Sequence, residues 1–174
     1  MMNSFKMSLA AASIIAMASA TNAMAGTATQ NINVTATVNT SCTIDNVGAV
    51  NFGTYNPTST TPTTAAGLIT VSCVRGTHPT IALDAGLNPN TSGARTMKHA
   101  TATDVLAYQL YKPTGPVCTG QETDAWGASG QALLDPGISN SSAAVSYSVC
   151  GKLDALQDVT TGSYSDTVIA TVSF

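Results

Sequence analysis

The chain has 174 residues, a length suited to one ordinary domain, and a formal net charge of -3. Only 9% of its residues are charged and 44% are hydrophobic, whereas soluble domains average about 25% charged. Six Lys and Arg cannot supply the basic footprint of a nucleic-acid binder, and the apolar content argues against disorder.

Residues 1–25 read as a secretory signal peptide. Lys6 supplies the positive region, Leu9, Ile14, Ile15 and Met17 lie in an apolar run, and Ala23-Met24-Ala25 offers the small-x-small cleavage pattern. A cut after Ala20 is the alternative. The run, at about 14 residues, is too short to cross roughly 30 Å of hydrocarbon, so export without membrane insertion is expected.

Beyond the signal, Thr, Ser, Asn and Gly dominate, the vocabulary of strands and turns. From Ala28 to Val38 alternation is nearly strict. Ile32, Val34, Ala36 and Val38 share one face, and Asn31, Asn33, Thr35 and Thr37 the other. The pattern predicts a strand over Gln30–Ile44, followed by Val50–Tyr55, Leu68–Val74, Thr80–Asp84, Asp104–Lys112, Ala143–Cys150 and Thr167–Phe174. Pro and Gly fall in the gaps between them, at Asn56–Gly67, Ala85–Gly93, Pro113–Gly120 and Asp135–Ser142. A weak helical period occurs only around Leu153–Gln157. In the last strand Val168, Ala170, Val172 and Phe174 alternate with Thr167, Ile169, Thr171 and Ser173, and the sequence ends on an apolar residue. One β-sandwich is the economical expectation.

Four cysteines, Cys42, Cys73, Cys118 and Cys150, lie beyond the signal, where disulfides persist. They form no CxxC, so a zinc site is a weak idea, and they allow three connectivities. Strand parity selects one. Cys42 shares the even face of Ile32, Val34 and Ile44 if no bulge intervenes, and Cys73 the odd face of Ile69 and Val71. Both point inward and pair, leaving Cys118 to Cys150. Each bridge closes about thirty residues, worth on the order of 3 kcal/mol.

Catalysis finds no support in the pattern. The nine acidic residues form no paired motif, His78 and His99 fall in expected loops, and Gly127-Ala128-Ser129-Gly130 is not a nucleophile elbow. Asp45, Asp84 and Asp104 lack calcium-loop spacing. Trp126 suits a sugar-stacking surface or, more ordinarily, a core anchor. No cofactor is expected.

Three segments carry a resemblance: Ser41-Cys42-Thr43-Ile44, Val50-Asn51-Phe52-Gly53-Thr54-Tyr55 and Ile69-Thr70-Val71-Ser72-Cys73. With Asp104–Tyr111 and the ending Gly162–Phe174, they resemble spore coat protein U domains, shared with Csu-type (archaic) chaperone–usher pilus subunits. One departure is Val149-Cys150-Gly151, where the family pattern suggests Val-Tyr-Gly; Cys118 is likewise additional.

The resemblance implies an immunoglobulin-like sandwich that lacks its last strand and is completed by donor-strand exchange. Residues 26–37 would then be the donor arm, with Ala28, Ile32, Val34 and Ala36 inserted, and residues 38–174 the sandwich. Val168, Ala170, Val172 and Phe174 would wall the acceptor groove. The implied partners are a periplasmic pilus chaperone, an outer-membrane usher, and other copies of itself or related pilins. The implied destination is a cell-surface pilus supporting adhesion and biofilm formation. The alternatives are a secreted spore-coat or surface matrix protein of the same domain family and a small carbohydrate-binding module.

Overall fold

The computed structural model describes residues 25–115 and 117–174. It divides into two units, residues 1–36 and 37–174. In the first, residues 25–36 have no ladder partner and are exposed throughout. The expected signal peptide, apart from Ala25, lies outside the described residues. No helix among those described is long and apolar enough to cross a membrane.

The second unit is built from strands β1 (Cys42–Gly48), β2 (Thr63–Cys73), β3 (Thr80–Leu83), β4 (Thr96–His99), β5 (Val105–Tyr111), β6 (Val145–Leu153), β7 (Tyr164–Ser165) and β8 (Ala170–Ser173). The one helical turn among the described residues is Gly130–Ala132. Six strands form an antiparallel sheet in the order β1-β2-β6-β5-β4-β7, and β3 pairs with β8 in a second sheet.

The alternation read from sequence sets the inward faces. Ile69, Val71 and Cys73 of β2, Ile81 and Leu83 of β3, Leu110 of β5 and Val149 of β6 are buried in one core, together with Trp126. The register opposes Cys42 to Cys73, and the two are disulfide-bonded. A bulge does interrupt β1, but between Ile44 and Asn46, beyond the cysteine, so Cys42 keeps its inward parity. Cys118 is bonded to Cys150. That bridge holds the excursion after β5 against the outer face of β6, where Cys150 is buried.

Several expected boundaries shift. The strand expected over Gln30–Ile44 begins only at Cys42. Ile32, Val34 and Val38 upstream are 87%, 89% and 80% exposed, because alternation makes a strand only where an edge accepts it. Val50–Tyr55 joins no ladder. Instead it lies across the sheet, where Gly67 and Gly151 leave room: a Cβ on Gly67 would stand 2.7 Å from Val50 Cγ2, and one on Gly151 2.5 Å from Val50 Cγ1 and 2.7 Å from Phe52 Cζ. The Tyr55 hydroxyl then donates to the Asp154 carbonyl at 2.8 Å.

The last strand narrows to Ala170–Ser173, although backbone bonds from Asp84 N to Ile169 O and from Leu87 N to Thr167 O prolong its contact with the β3 side. β4 and β7 are additional strands, short and without apolar alternation. His99, expected in a loop, ends β4 and is buried. No helix forms at Leu153–Gln157: β6 runs to Leu153, and the chain then turns through Leu156 at φ 61°.

Candidate functional site

β1 pairs only with β2, and β8 only with β3. The two strands lie near each other, so each has one edge without a ladder partner among the described residues. Unpaired edges of this kind are templates for another strand. Between the segment that leaves β1 and the segment that leads into β8 runs a groove. Its narrower stretch, about 290 Å³, has Val47, Val50 and Phe52 on one side, Val168 and Ala170 on the other, and Ile69, Leu110 and Val149 beneath. A wider stretch, about 660 Å³, continues between residues 49–57 and 159–164 over Met97, Leu106 and Leu153. Ala49, Val50, Phe52 and Met97 line both, which joins them. A separate cavity of about 250 Å³ sits beneath the 136–141 loop, with Val71, Ile81, Val145 and Tyr147 among its walls; a loop covers it, whereas the groove is flanked by open edges.

Beneath the narrow stretch lies a polar cluster that locks the two sheets together. Arg95 is 6% exposed. Its Nε donates to the Asp84 carbonyl at 2.8 Å, Nη1 to Gln109 Oε1 at 2.8 Å, and Nη2 to the carbonyls of Leu83 at 2.9 Å and Trp126 at 2.8 Å. Burial pulls the guanidinium pKa down, and the field of the Asp84 and Asp166 carboxylates opposes this. Tyr108 donates to Asp166 Oδ2 at 2.6 Å. Burial first, then that bond, raises the phenol well above its ordinary range, so it remains a protonated donor. Asp166 Oδ1 accepts from Leu87 N at 3.0 Å, Asn88 N at 3.2 Å and Asn88 Nδ2 at 2.9 Å.

Of the residues singled out for an acceptor wall, Val168 and Ala170 line the groove. Val172 opposes Ile81 in the β3–β8 ladder and packs on the core. Phe174 follows β8 and is 57% exposed. Ala28, Ile32, Val34 and Ala36 are exposed in the first unit. The opposite wall and the floor, above all Phe52, Met97, Tyr108 and Leu153, carry no site signal of their own in the sequence. The strand pattern placed most of them in elements, yet nothing in it said that these elements converge.

The other candidates are accounted for by local structure. Trp126 is fully buried, and its Nε1 donates to the Ile81 carbonyl at 2.9 Å; this removes the sugar-stacking surface on which the carbohydrate-binding alternative rested. Asp45 bonds Thr43 at 2.8 Å and also Ser72. Asp84 Oδ1 accepts from Gly86 N and Ile169 N, both at 2.9 Å, and Asp104 accepts from Thr160 N at 3.1 Å. The three aspartates are therefore spread over separate turns. Among the described residues, metal-ligating side chains gather only at Cys118, Glu122 and Cys150, and both sulfurs are spent in the disulfide.

Residues 28–171 match the Spore Coat Protein U domain, and the chain belongs to that family. It is 34% identical to "Protein U" of Myxococcus xanthus over 179 residues, covering 95% of this chain and 93% of that protein. It is also similar, at 25% identity and a TM-score of 0.55, to a chain of a solved chaperone–tip adhesion subunit pre-assembly complex, CsuC-CsuE, from the archaic chaperone-usher Csu pili of Acinetobacter baumannii. That alignment covers 79% of this chain and 41% of the solved one, so this chain spans about two-fifths of its length. The fold is accordingly all-β and immunoglobulin-like, of the kind found in chaperone–usher subunits.

Proposed function

We propose that this chain is the structural, non-catalytic subunit of an extracellular chaperone–usher pilus, polymerised by donor-strand complementation. Residues 1–25 direct export, residues 26–37 are the donor arm, and residues 38–174 are the acceptor sandwich. The observation that carries this reading is the apolar groove flanked by two sheet edges that have no ladder partner among the described residues. An exposed edge above an apolar floor invites aggregation unless a strand covers it, and strand addition satisfies the backbone and the floor together.

The arm has the matching chemistry. Ile32 and Val34 are almost fully exposed, and burying two large aliphatics with Ala28 and Ala36 contributes about 5–8 kcal/mol, less the backbone entropy of ordering the arm. Val172 and Phe174 extend the acceptor wall toward the chain end. Before assembly a periplasmic chaperone strand occupies the groove, as the pre-assembly complex of the similar Csu chain suggests. An outer-membrane usher then passes the subunit to the growing fibre, which serves adhesion and biofilm formation at the cell surface.

The test is the oligomeric state of mature protein purified from the periplasm. The chain from Gly26 onward gives heat-stable, SDS-resistant ladders, and deleting residues 26–37 leaves single subunits. Ladders that survive the deletion overturn the arm assignment. The similarity to "Protein U" favours a second reading, a secreted coat or surface protein that uses the same strand exchange. A stoichiometric immunoglobulin-like chaperone co-purifying with the chain selects the pilus reading over it.

A further inference from the structure

We propose that Gln30 of one copy, meeting the Tyr108–Asp166 pair of the next, sets the register in which the arm enters the groove. This rests on the donor-arm reading above. The inward row of the arm is Ala28, Gln30, Ile32, Val34 and Ala36, with one polar side chain among apolar ones. The groove shows the complementary exception: Asp166 is the one charged residue lining either stretch, and Tyr108 lines the narrow stretch with it.

That pair is rigid and offers acceptors. Asp166 Oδ1 is held by three nitrogen donors, and Oδ2 by the Tyr108 hydroxyl. Oδ2 lies over Gly86, where a Cβ would stand 2.0 Å away. Because the Tyr108 hydroxyl donates its hydrogen bond to Asp166, the lone pairs of its own oxygen and one more on Oδ2 remain open to a donor. A strand laid over the groove removes these acceptors from water, and an acceptor buried without a donor is costly. The Gln30 amide brings two N–H donors; a Leu at that place brings none.

The unequal volumes of the two stretches fix the direction. With Gln30 at Asp166, an antiparallel arm puts Ile32 and Val34 into the 660 Å³ stretch beside residues 159–164 and the small Ala28 against Val168 in the 290 Å³ stretch. A parallel arm crowds the two large side chains into the 290 Å³ stretch and leaves Ala28 in the 660 Å³ one. In the antiparallel register Thr29 faces Thr167, and the groove-facing pairs are Ala28 with Val168 and Ile32 with Tyr164. A single polar contact amid apolar ones is an established means of specifying register.

The experiment is intersubunit cysteine crosslinking in the mature chain. Thr29→Cys with Thr167→Cys, directly opposed, forms an intersubunit disulfide under mild oxidation; Asn31→Cys with Thr167→Cys, two residues out of register, does not. Adding Gln30→Leu redistributes the crosslinks between the two pairs. Second, a synthetic peptide of residues 26–37 carrying Gln30→Leu leaves arm-deleted subunits roughly 10- to 100-fold faster than the native peptide, and Tyr108→Phe in the subunit shrinks that difference. Equal crosslinking of both cysteine pairs, or an unchanged release rate, overturns the register assignment. Failure of the native peptide to bind overturns the donor-arm reading itself, so the two failures are distinct.

Discussion

Arg95 tests whether the buried cluster under the groove holds the sheets together. Its guanidinium spans from the start of β4 to the end of β3 and to Trp126 through four hydrogen bonds, three of them to backbone carbonyls. Bonds from a charged donor are worth about 1.5–3 kcal/mol each, so four set an upper figure of roughly 6–12 kcal/mol. Removing a guanidinium from water offsets several kcal/mol of that.

Arg95→Met fills the space but leaves the carbonyls of Leu83, Asp84 and Trp126 without that donor. It also strips the cation from the neighbourhood of Asp84 and Asp166. The expected loss is about 3–5 kcal/mol, roughly a fifth or more of the 5–15 kcal/mol stability of an ordinary domain. Arg95→Lys should recover less than half, because one ammonium cannot reach four acceptors spread around a planar fork. Guanidinium chloride denaturation of the full chain, with the slope unchanged, reads the loss directly. A decrease below about 1 kcal/mol for Arg95→Met refutes the reasoning.

Three further outcomes are expected. Gly67→Ala brings a methyl within 2.7 Å of both Gly48 O and Val50 Cγ2, which should cost about 1–3 kcal/mol in the same denaturation assay. Replacing Cys118 and Cys150 together by Ser opens a loop with sequence separation 32; about 3–4 kcal/mol should be lost, and limited proteolysis should cut within residues 113–123. The His78 hydrogen bond, helped by Gly137 N, holds the exposed Asp135 carboxyl below the usual range. A carboxyl depressed in the folded state stabilises above its unfolded pKa, and that contribution vanishes as pH falls through the folded value. Asp135→Asn should therefore flatten the acid end of the stability–pH curve by lowering stability at neutral pH while leaving it nearly unchanged at the most acidic pH, as thermal melts from neutral into the acid range will show.

Much of the architecture is written locally. Period-two alternation marked the cores of β2, β3, β5 and β6, since one face of each packs inward. The same parity aimed Cys42 and Cys73 at each other, and the bulge in β1 falls where it cannot reverse that. Pro and Gly marked the intervening turns because a ladder excludes them. Tertiary structure decided what depends on partners distant in sequence. Val50–Tyr55 alternates as a strand would, yet Gly67 and Gly151, far apart in sequence and on two strands, give it a bed across the sheet face instead. Thr96–His99 and Tyr164–Ser165 have no strand pattern and become strands because neighbouring edges accept them. Whether a lone Trp126 stacks outside or anchors inside, and whether Asp166 is surface charge or the polar point of an apolar groove, is settled by packing, because burial belongs to the assembled sheets and to no short stretch of chain.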